Sequence, residues 1–130
     1  MAKIERFEEI VAWQKGMDLC VRIYSISDDG KFAKDYGLRD QIRRAAVSIP
    51  SNISEGFERE SNNQFIYFLQ IAKASSGELR TQITLARRLN YIVEEDFKKL
   101  NDEVLEVSKV IGGFITYLRN SKKKKLETKL

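Results

Sequence analysis

Histidine is absent from this chain of 130 residues, and cysteine and proline occur once each. Without histidine there is no Ser-His-Asp triad and no His-liganded metal, and a single cysteine excludes an internal disulfide and a Cys-cluster zinc site. One proline and seven glycines are too few for the many turns of a β-sandwich or β-barrel. We therefore expect no metal and no other cofactor, and a reducing compartment.

Long apolar runs are missing as well. No stretch approaches the roughly 18 apolar residues that cross a bilayer, and the first residues lead into no apolar segment of a signal peptide. We therefore expect a cytoplasmic protein that does not bind membranes. A composition that is 42% hydrophobic and 32% charged is typical of a globular chain, and the length fits one domain.

Positive charge is concentrated at one end of the chain. Residues 119–130 hold six basic side chains and one acid, so the net charge of +4 comes from this tail, and residues 1–118 sum to −1. Residues 36–93 are basic and residues 94–118 are acidic. Because the tail has few apolar residues to dock, we predict a folded domain over residues 1–118 and a basic, disordered tail over residues 119–130.

Helical periodicity dominates the apolar residues. Four segments show alternating spacings of three and four, which place side chains on one face of a helix. They run from Ile10 to Tyr24, from Leu38 to Gly56, from Phe65 to Ala86 and from Phe97 to Leu118. Connections of about 4 to 8 residues suit antiparallel neighbours. The pattern predicts an all-α, antiparallel, up-down-up-down four-helix bundle.

Local signals refine the helices. Ser61 with Gln64 forms a capping box at the start of the third helix, and Asn90 can end it. In the first helix we expect Cys20 to be an inert, small hydrophobic residue of the core. The predicted core face of that helix consists of Ile10, Trp13, Met17, Cys20 and Tyr24.

Pro50 falls inside the second helical segment. A proline there removes one backbone N–H and clashes with the carbonyl four residues earlier, at a cost of about 3 kcal/mol. The apolar period continues to Gly56, so we predict a continuous helix that is kinked at Pro50. The surrounding polar residues either satisfy the freed backbone groups or form a polar site at the kink. This motif comprises Ser48, Pro50, Ser51, Asn52, Glu55 and Gly56.

The same segment resembles a known family. It reads Ser-Ile-Pro-Ser-Asn-Ile-Ser-Glu-Gly over residues 48–56, with Gln-Ile-Arg-Arg-Ala-Ala over residues 41–46 and Trp-Gln-Lys over residues 13–15. The pattern is similar to the small four-helix-bundle, ribosomal-protein-like proteins encoded in intervening sequences of bacterial 23S ribosomal RNA genes. That family is related to the accessory variability determinants of diversity-generating retroelements. The resemblance extends from Phe7 to Leu118, and Ser54 stands where a common family form has alanine.

The resemblance implies a homopentamer with a basic surface around a central opening. It also implies association with nucleic acid, together with a reverse-transcriptase-like or other protein partner. The sequence itself contains no Walker loop, dinucleotide fingerprint or Gly-x-Ser-x-Gly elbow. We therefore predict no catalytic residues and a protein that is not an enzyme.

Apolar residues on the back of the third helix also indicate assembly. One bundle core cannot cover both sides of this helix, and scattered apolar surface residues seldom collect on one face. We therefore predict an interface between copies of the chain. Its residues are Tyr67, Ile71, Ala74 and Leu85.

Basic residues without acids nearby in their own helix indicate nucleic-acid binding. Lys73, Arg80 and Arg87 follow one another at seven-residue intervals and therefore line one face. Arg44 is left out because Asp40, four residues earlier, can pair with it. We predict contacts to the backbone of RNA or DNA. The predicted set is Arg39, Arg43, Lys73, Arg80, Arg87, Arg88, Lys122, Lys123, Lys124 and Lys125.

An alternative stays open for these cations. The acids Asp102, Glu103 and Glu106 of the fourth helix can neutralise them from a neighbouring position in a bundle. In that case the protein is a protein–protein interaction scaffold with no direct nucleic-acid role.

Overall fold

The computed structural model describes the backbone of residues 3–129 and the side chains of residues 3–121. Within these residues the chain is all-helical, as predicted, and contains no strand. A 3-10 turn at Phe7–Glu9 precedes the helices α1 (Val11–Ile26), α2 (Gly30–Lys34), α3 (Tyr36–Phe57), α4 (Asn62–Arg88) and α5 (Glu94–Lys129). The four long helices match the four predicted segments, and the short α2 lies within the first connection.

The long helices pack around one shared core. α3 contacts α1 and α4, and α5 contacts α4 and α1. α3 and α4 run in opposite directions. Ser48 of α3 bonds to Ser75 of α4, whereas the later Gly56 lies against the earlier Phe68. In the direction in which residue numbers rise along α3, they therefore fall along α4.

The buried face of α1 differs from the predicted one. Met17 and Tyr24 are 41% and 46% exposed, so the predicted stripe is wrong at these positions. The correct stripe has the same spacing but smaller residues, because α3 approaches closely: a Cβ on Gly16 would lie 3.4 Å from Pro50 Cδ. The residues that α1 buries are Ala12, Gly16, Leu19, Cys20 and Ile23.

The ends of α4 follow the local signals in the sequence. Ser61 Oγ accepts a hydrogen bond from the Gln64 amide at 3.2 Å, which confirms the predicted N-cap. At the other end Asn90 has a left-handed φ of 59°, and the Tyr91 amide donates to the Ala86 carbonyl at 2.9 Å. This is a Schellman motif, in which asparagine tolerates the left-handed conformation. Asn90 therefore ends α4, as predicted.

α3 passes through Pro50 without interruption, as predicted. The missing N–H leaves the Ala46 carbonyl without its helical partner. The Cys20 thiol of α1 donates to this carbonyl, with 3.1 Å between Sγ and O. Burial raises the pKa of Cys20 to about 11, so the thiol keeps its proton at neutral pH. Cys20 is therefore a hydrogen-bond donor to α3 as well as a core residue.

The last helix is longer than the sequence analysis expects. α5 continues to Lys129, so residues 119–129 extend a helix where a disordered tail was predicted. This segment contains no glycine or proline, and its lysines, leucine and glutamate favour helix. The side chains of Lys122–Lys125 lie outside the described residues.

Candidate nucleic-acid interface

The polar residues before and after Pro50 join α3 to α4. Ser48 Oγ lies 2.9 Å from Ser75 Oγ. Asn52 Nδ2 donates to the carbonyl of Ser48 at 2.7 Å and to its hydroxyl at 2.9 Å. These bonds are internal, and the carbonyl freed by Pro50 is satisfied by Cys20 instead. The geometry favours the structural interpretation of this motif over a polar site.

The rest of the motif has structural contacts too. Glu55 forms an ion pair at 2.8 Å with Arg59, which lies just beyond the end of α3. Gly56 is required by close packing, because a Cβ there would lie 2.7 Å from Phe68 Cβ. Ser51 is exposed, and its carbonyl accepts a hydrogen bond from Ser54. The contacts of Glu55 and Gly56 therefore also favour the structural interpretation.

Arg43, one of the predicted nucleic-acid residues, is bound to the protein itself. Only 20% of its side chain is exposed. Its Nε donates to Ser27 Oγ at 2.8 Å, one terminal nitrogen donates to the Tyr24 carbonyl at 3.3 Å, and the guanidinium lies 4.6 Å from the Tyr24 ring centroid. Arg43 therefore fastens the end of α1 to α3.

Arg39 and Arg87 are bound in a similar way. Arg39 donates to the Ala33 carbonyl at 3.1 Å and to Asp40 at 3.3 Å. Arg87 Nε donates to Glu94 at 2.6 Å, which joins the end of α4 to the start of α5. These two arginines bridge helix ends, so the structure separates them from the exposed cations of the predicted set.

Lys73, Arg80 and Arg88 form the second group, which we call the free cations of α4. All three are exposed, and none forms a hydrogen bond or ion pair through its side chain with another described residue. Lys73 extends towards α5, where its Cε lies 3.3 Å from the position of a Cβ on Gly112. The free cations are therefore available to an anionic partner.

Glu103 and Glu106 of α5 do not neutralise the cations of α4. Glu103 pairs with Arg22 at 2.5 Å, and Glu106 pairs with Lys15 at 2.9 Å. Both cations belong to α1, because the acidic side of α5 faces that helix. The scaffold alternative requires ion pairs between the acids of α5 and the cations of α4. Within the described residues, Glu103 and Glu106 do not form such pairs.

Sequence reasoning assigned Arg44 a partner that it does not have. The spacing pairs Arg44 with Asp40, but Asp40 bonds to Arg39 instead. The side chain of Arg44 is exposed and has no partner among the described residues. A spacing of four residues permits the pair, and the competition for one carboxylate decides it.

The four residues of the predicted interface are not equally accessible. Tyr67 and Leu85 are 59% and 46% exposed, and Ala74 is exposed beside them on the outer side of α4. Ile71 is half-buried. Tyr67, Ala74 and Leu85 therefore form an uncovered apolar strip next to the free cations of the same helix.

Two kinds of site are not seen in the described part of the chain. No group of three or more His, Cys, Asp or Glu side chains among these residues is placed to hold a metal ion. None of the helices in the same part combines the length and apolar character of a membrane span.

Comparisons with known proteins agree with the helical pattern and its motif. The family model of the 23S rRNA-intervening sequence protein matches residues 8–113. A crystal structure of a protein of unknown function from the S23 ribosomal protein family, from Bacteroides thetaiotaomicron, is 29% identical and superposes with a TM-score of 0.75. The match covers 81% of this chain and 98% of that one. No curated protein matches the sequence. This chain belongs to the 23S rRNA-intervening sequence protein family.

Proposed function

We propose that this protein is a non-catalytic, homopentameric, antiparallel four-helix bundle that binds the phosphate backbone of RNA or DNA in the cytoplasm. The observation that carries the proposal is the set of free cations on α4, namely Lys73, Arg80 and Arg88. A role accessory to ribosomal RNA or to reverse transcription, with a reverse-transcriptase-like or other protein partner, stays a prediction from the family resemblance.

Electrostatics supports binding to the phosphate backbone of a nucleic acid. α4 carries four basic residues and one acid between Asn62 and Arg88, and the chain ends in a lysine-rich segment. Exposed arginine and lysine side chains without internal partners bind phosphates and release the counterions of the nucleic acid. No helix-turn-helix or other base-reading motif appears in the sequence. We therefore expect binding that depends on salt and varies little with base sequence.

The apolar strip of α4 supports the homo-oligomer. Tyr67 and Leu85 are large and exposed, and the small Ala74 between them allows a neighbouring helix to approach. A tyrosine with an apolar body and a polar tip is common in protein interfaces. In an assembly of five chains these strips would be covered, and the free cations would be repeated around the ring.

The double variant Arg80→Glu with Arg88→Glu tests the proposal. We expect the affinity for a structured RNA to fall at least about tenfold at low salt, and the slope of log K against log salt to shrink by about two. Fluorescence anisotropy of a labelled RNA hairpin at several salt concentrations measures both. The fold should survive, because neither side chain has a described partner to lose.

A matched control distinguishes the loss of this site from the effect of a lower net charge. The variant Lys31→Glu with Lys34→Glu changes the charge by the same amount on the exposed side of α2. It should reduce RNA affinity much less than the α4 variant. Equal losses in the two variants would overturn the assignment to α4, and full RNA affinity in the α4 variant would do the same.

A protein–protein scaffold is the second candidate, and the exposure of Tyr67 and Leu85 favours it. It predicts that the protein ignores RNA at every salt concentration. The anisotropy titration of the unaltered protein therefore decides between the two candidates.

A further inference from the structure

A cavity of about 430 Å³ opens at the end of the molecule where α3 passes into α4. Four aromatic side chains form part of its wall, namely Phe57, Phe65, Phe114 and Tyr117. The rings form a continuous series, with centroids 6.0 Å, 5.4 Å and 6.2 Å apart in that order. Pockets for small ligands usually measure about 300 to 1,000 Å³, so the cavity is large enough for one flat ligand.

The outermost ring of the series is accessible. Tyr117 is 48% exposed, and its ring stands at 89° to that of Phe114. A flat ligand that stacks on one of two perpendicular rings meets the other ring edge to face, which is a favourable aromatic geometry. The outer part of the cavity therefore fits a planar aromatic group.

Cations border the same cavity. Lys3 is exposed there and has no described partner, and Arg59 shares its charge with Glu55. The described lining also contains the acid Glu60, which offsets part of the positive charge of Lys3 and Arg59. Ser121 also lines the cavity. Among the described lining residues, Lys3 therefore lacks an internal partner and can attract an anionic group.

We infer that this end cavity binds a nucleobase that carries a phosphate, as at the end of a nucleic-acid strand. The base stacks against Tyr117 and Phe114, and the phosphate lies near Lys3 and Arg59. The inference rests on the proposed function, since it gives the bound strand a site for its terminal nucleotide. A free nucleotide has the same chemistry, so the test distinguishes the two sources.

The test compares two ligands on the full chain. Isothermal titration calorimetry with adenosine monophosphate and with a 5′-phosphorylated four-residue oligoadenylate gives the affinity of each. In Tyr117→Ala we expect about tenfold weaker binding of the oligoadenylate, because stacking contributes that much or more per base. Tyr117→Phe, which keeps the ring, should bind as the unaltered protein does.

Tyr36→Ala is the matched control, because Tyr36 is 65% exposed at the start of α3 and lies outside the cavity lining. Its affinity should be unchanged. Equal binding of the oligoadenylate by Tyr117→Ala and Tyr36→Ala would overturn the inference, and so would a failure of the unaltered protein to bind either ligand. Binding of the monophosphate as tight as that of the oligoadenylate would support the cavity and assign it to a free nucleotide.

The two proposals fail separately. If Tyr117→Ala binds the oligoadenylate normally while Arg80→Glu with Arg88→Glu loses the RNA hairpin, the cavity inference is overturned and the α4 surface stands. If the unaltered protein binds the oligoadenylate through Tyr117 but ignores the hairpin, the cavity stands and the α4 surface is overturned.

Discussion

The side of the molecule between α1 and α5 differs from the outer side of α4 in whether its cations have ion-pair partners. Between α1 and α5, Arg22 and Lys15 are paired with Glu103 and Glu106. Along α4, Arg80 is exposed to solvent and has no described partner. Surface ion pairs stabilise a fold by at most about 1 kcal/mol, so the free cations are not explained by stability. The difference supports the proposal that the α4 side binds a partner outside the chain.

The same contrast divides the arginines that the sequence groups together. Arg43 is enclosed by its contacts to Ser27 and Tyr24, whereas Arg80 is open. A guanidinium held by hydrogen bonds inside the protein contributes to stability, and an exposed one contributes chiefly to long-range attraction. The two positions should therefore respond differently to the same substitution.

Truncation of Arg43 should have the larger effect on the fold. We expect Arg43→Ala to lower the free energy of unfolding by about 2 kcal/mol, because hydrogen bonds to a charged group are lost. Arg80→Ala should change it by less than about 0.5 kcal/mol and should instead reduce the salt slope of RNA binding by about one. Urea denaturation followed by circular dichroism measures the stabilities. Similar losses of unfolding free energy in both variants would contradict the different roles of Arg43 and Arg80.

The interior of the molecule allows a second, smaller test at Pro50. Cys20→Ala should destabilise the protein by about 1 kcal/mol, because the Ala46 carbonyl loses its donor. In the background of Pro50→Ala the restored amide can bond to Ala46, so the same cysteine substitution should cost less. A double-mutant cycle measured by urea denaturation gives the coupling, and additive effects would contradict the role of the Cys20 thiol.

Much of the fold could be predicted from the sequence, because it depends on local signals. The spacing of apolar residues fixes the four long helices, and Ser61 and Asn90 mark the ends of α4 by their own side-chain and backbone preferences. The buried face of α1 could not be predicted this way. Two stripes share the same spacing, and only the approach of Pro50 to Gly16 selects the smaller residues.

The candidate site was harder to predict, because it depends on which helices become neighbours. The sequence places acids in α5 and cations in α4, but α5 offers Glu103 and Glu106 to α1. The seven-residue spacing also groups Arg87 with Arg80, although Glu94 binds only Arg87. Spacing within a helix shows which residues share a face, and the packing of the helices decides which of them find partners.

The most direct test of the α4 surface is the mass of the protein in solution, by light scattering, with and without a structured RNA at low and moderate salt. The account predicts about five times the chain mass of 15.1 kDa without RNA, a larger mass with RNA at low salt, and loss of the RNA as salt rises. A mass of one chain that RNA does not change at either salt concentration would contradict it.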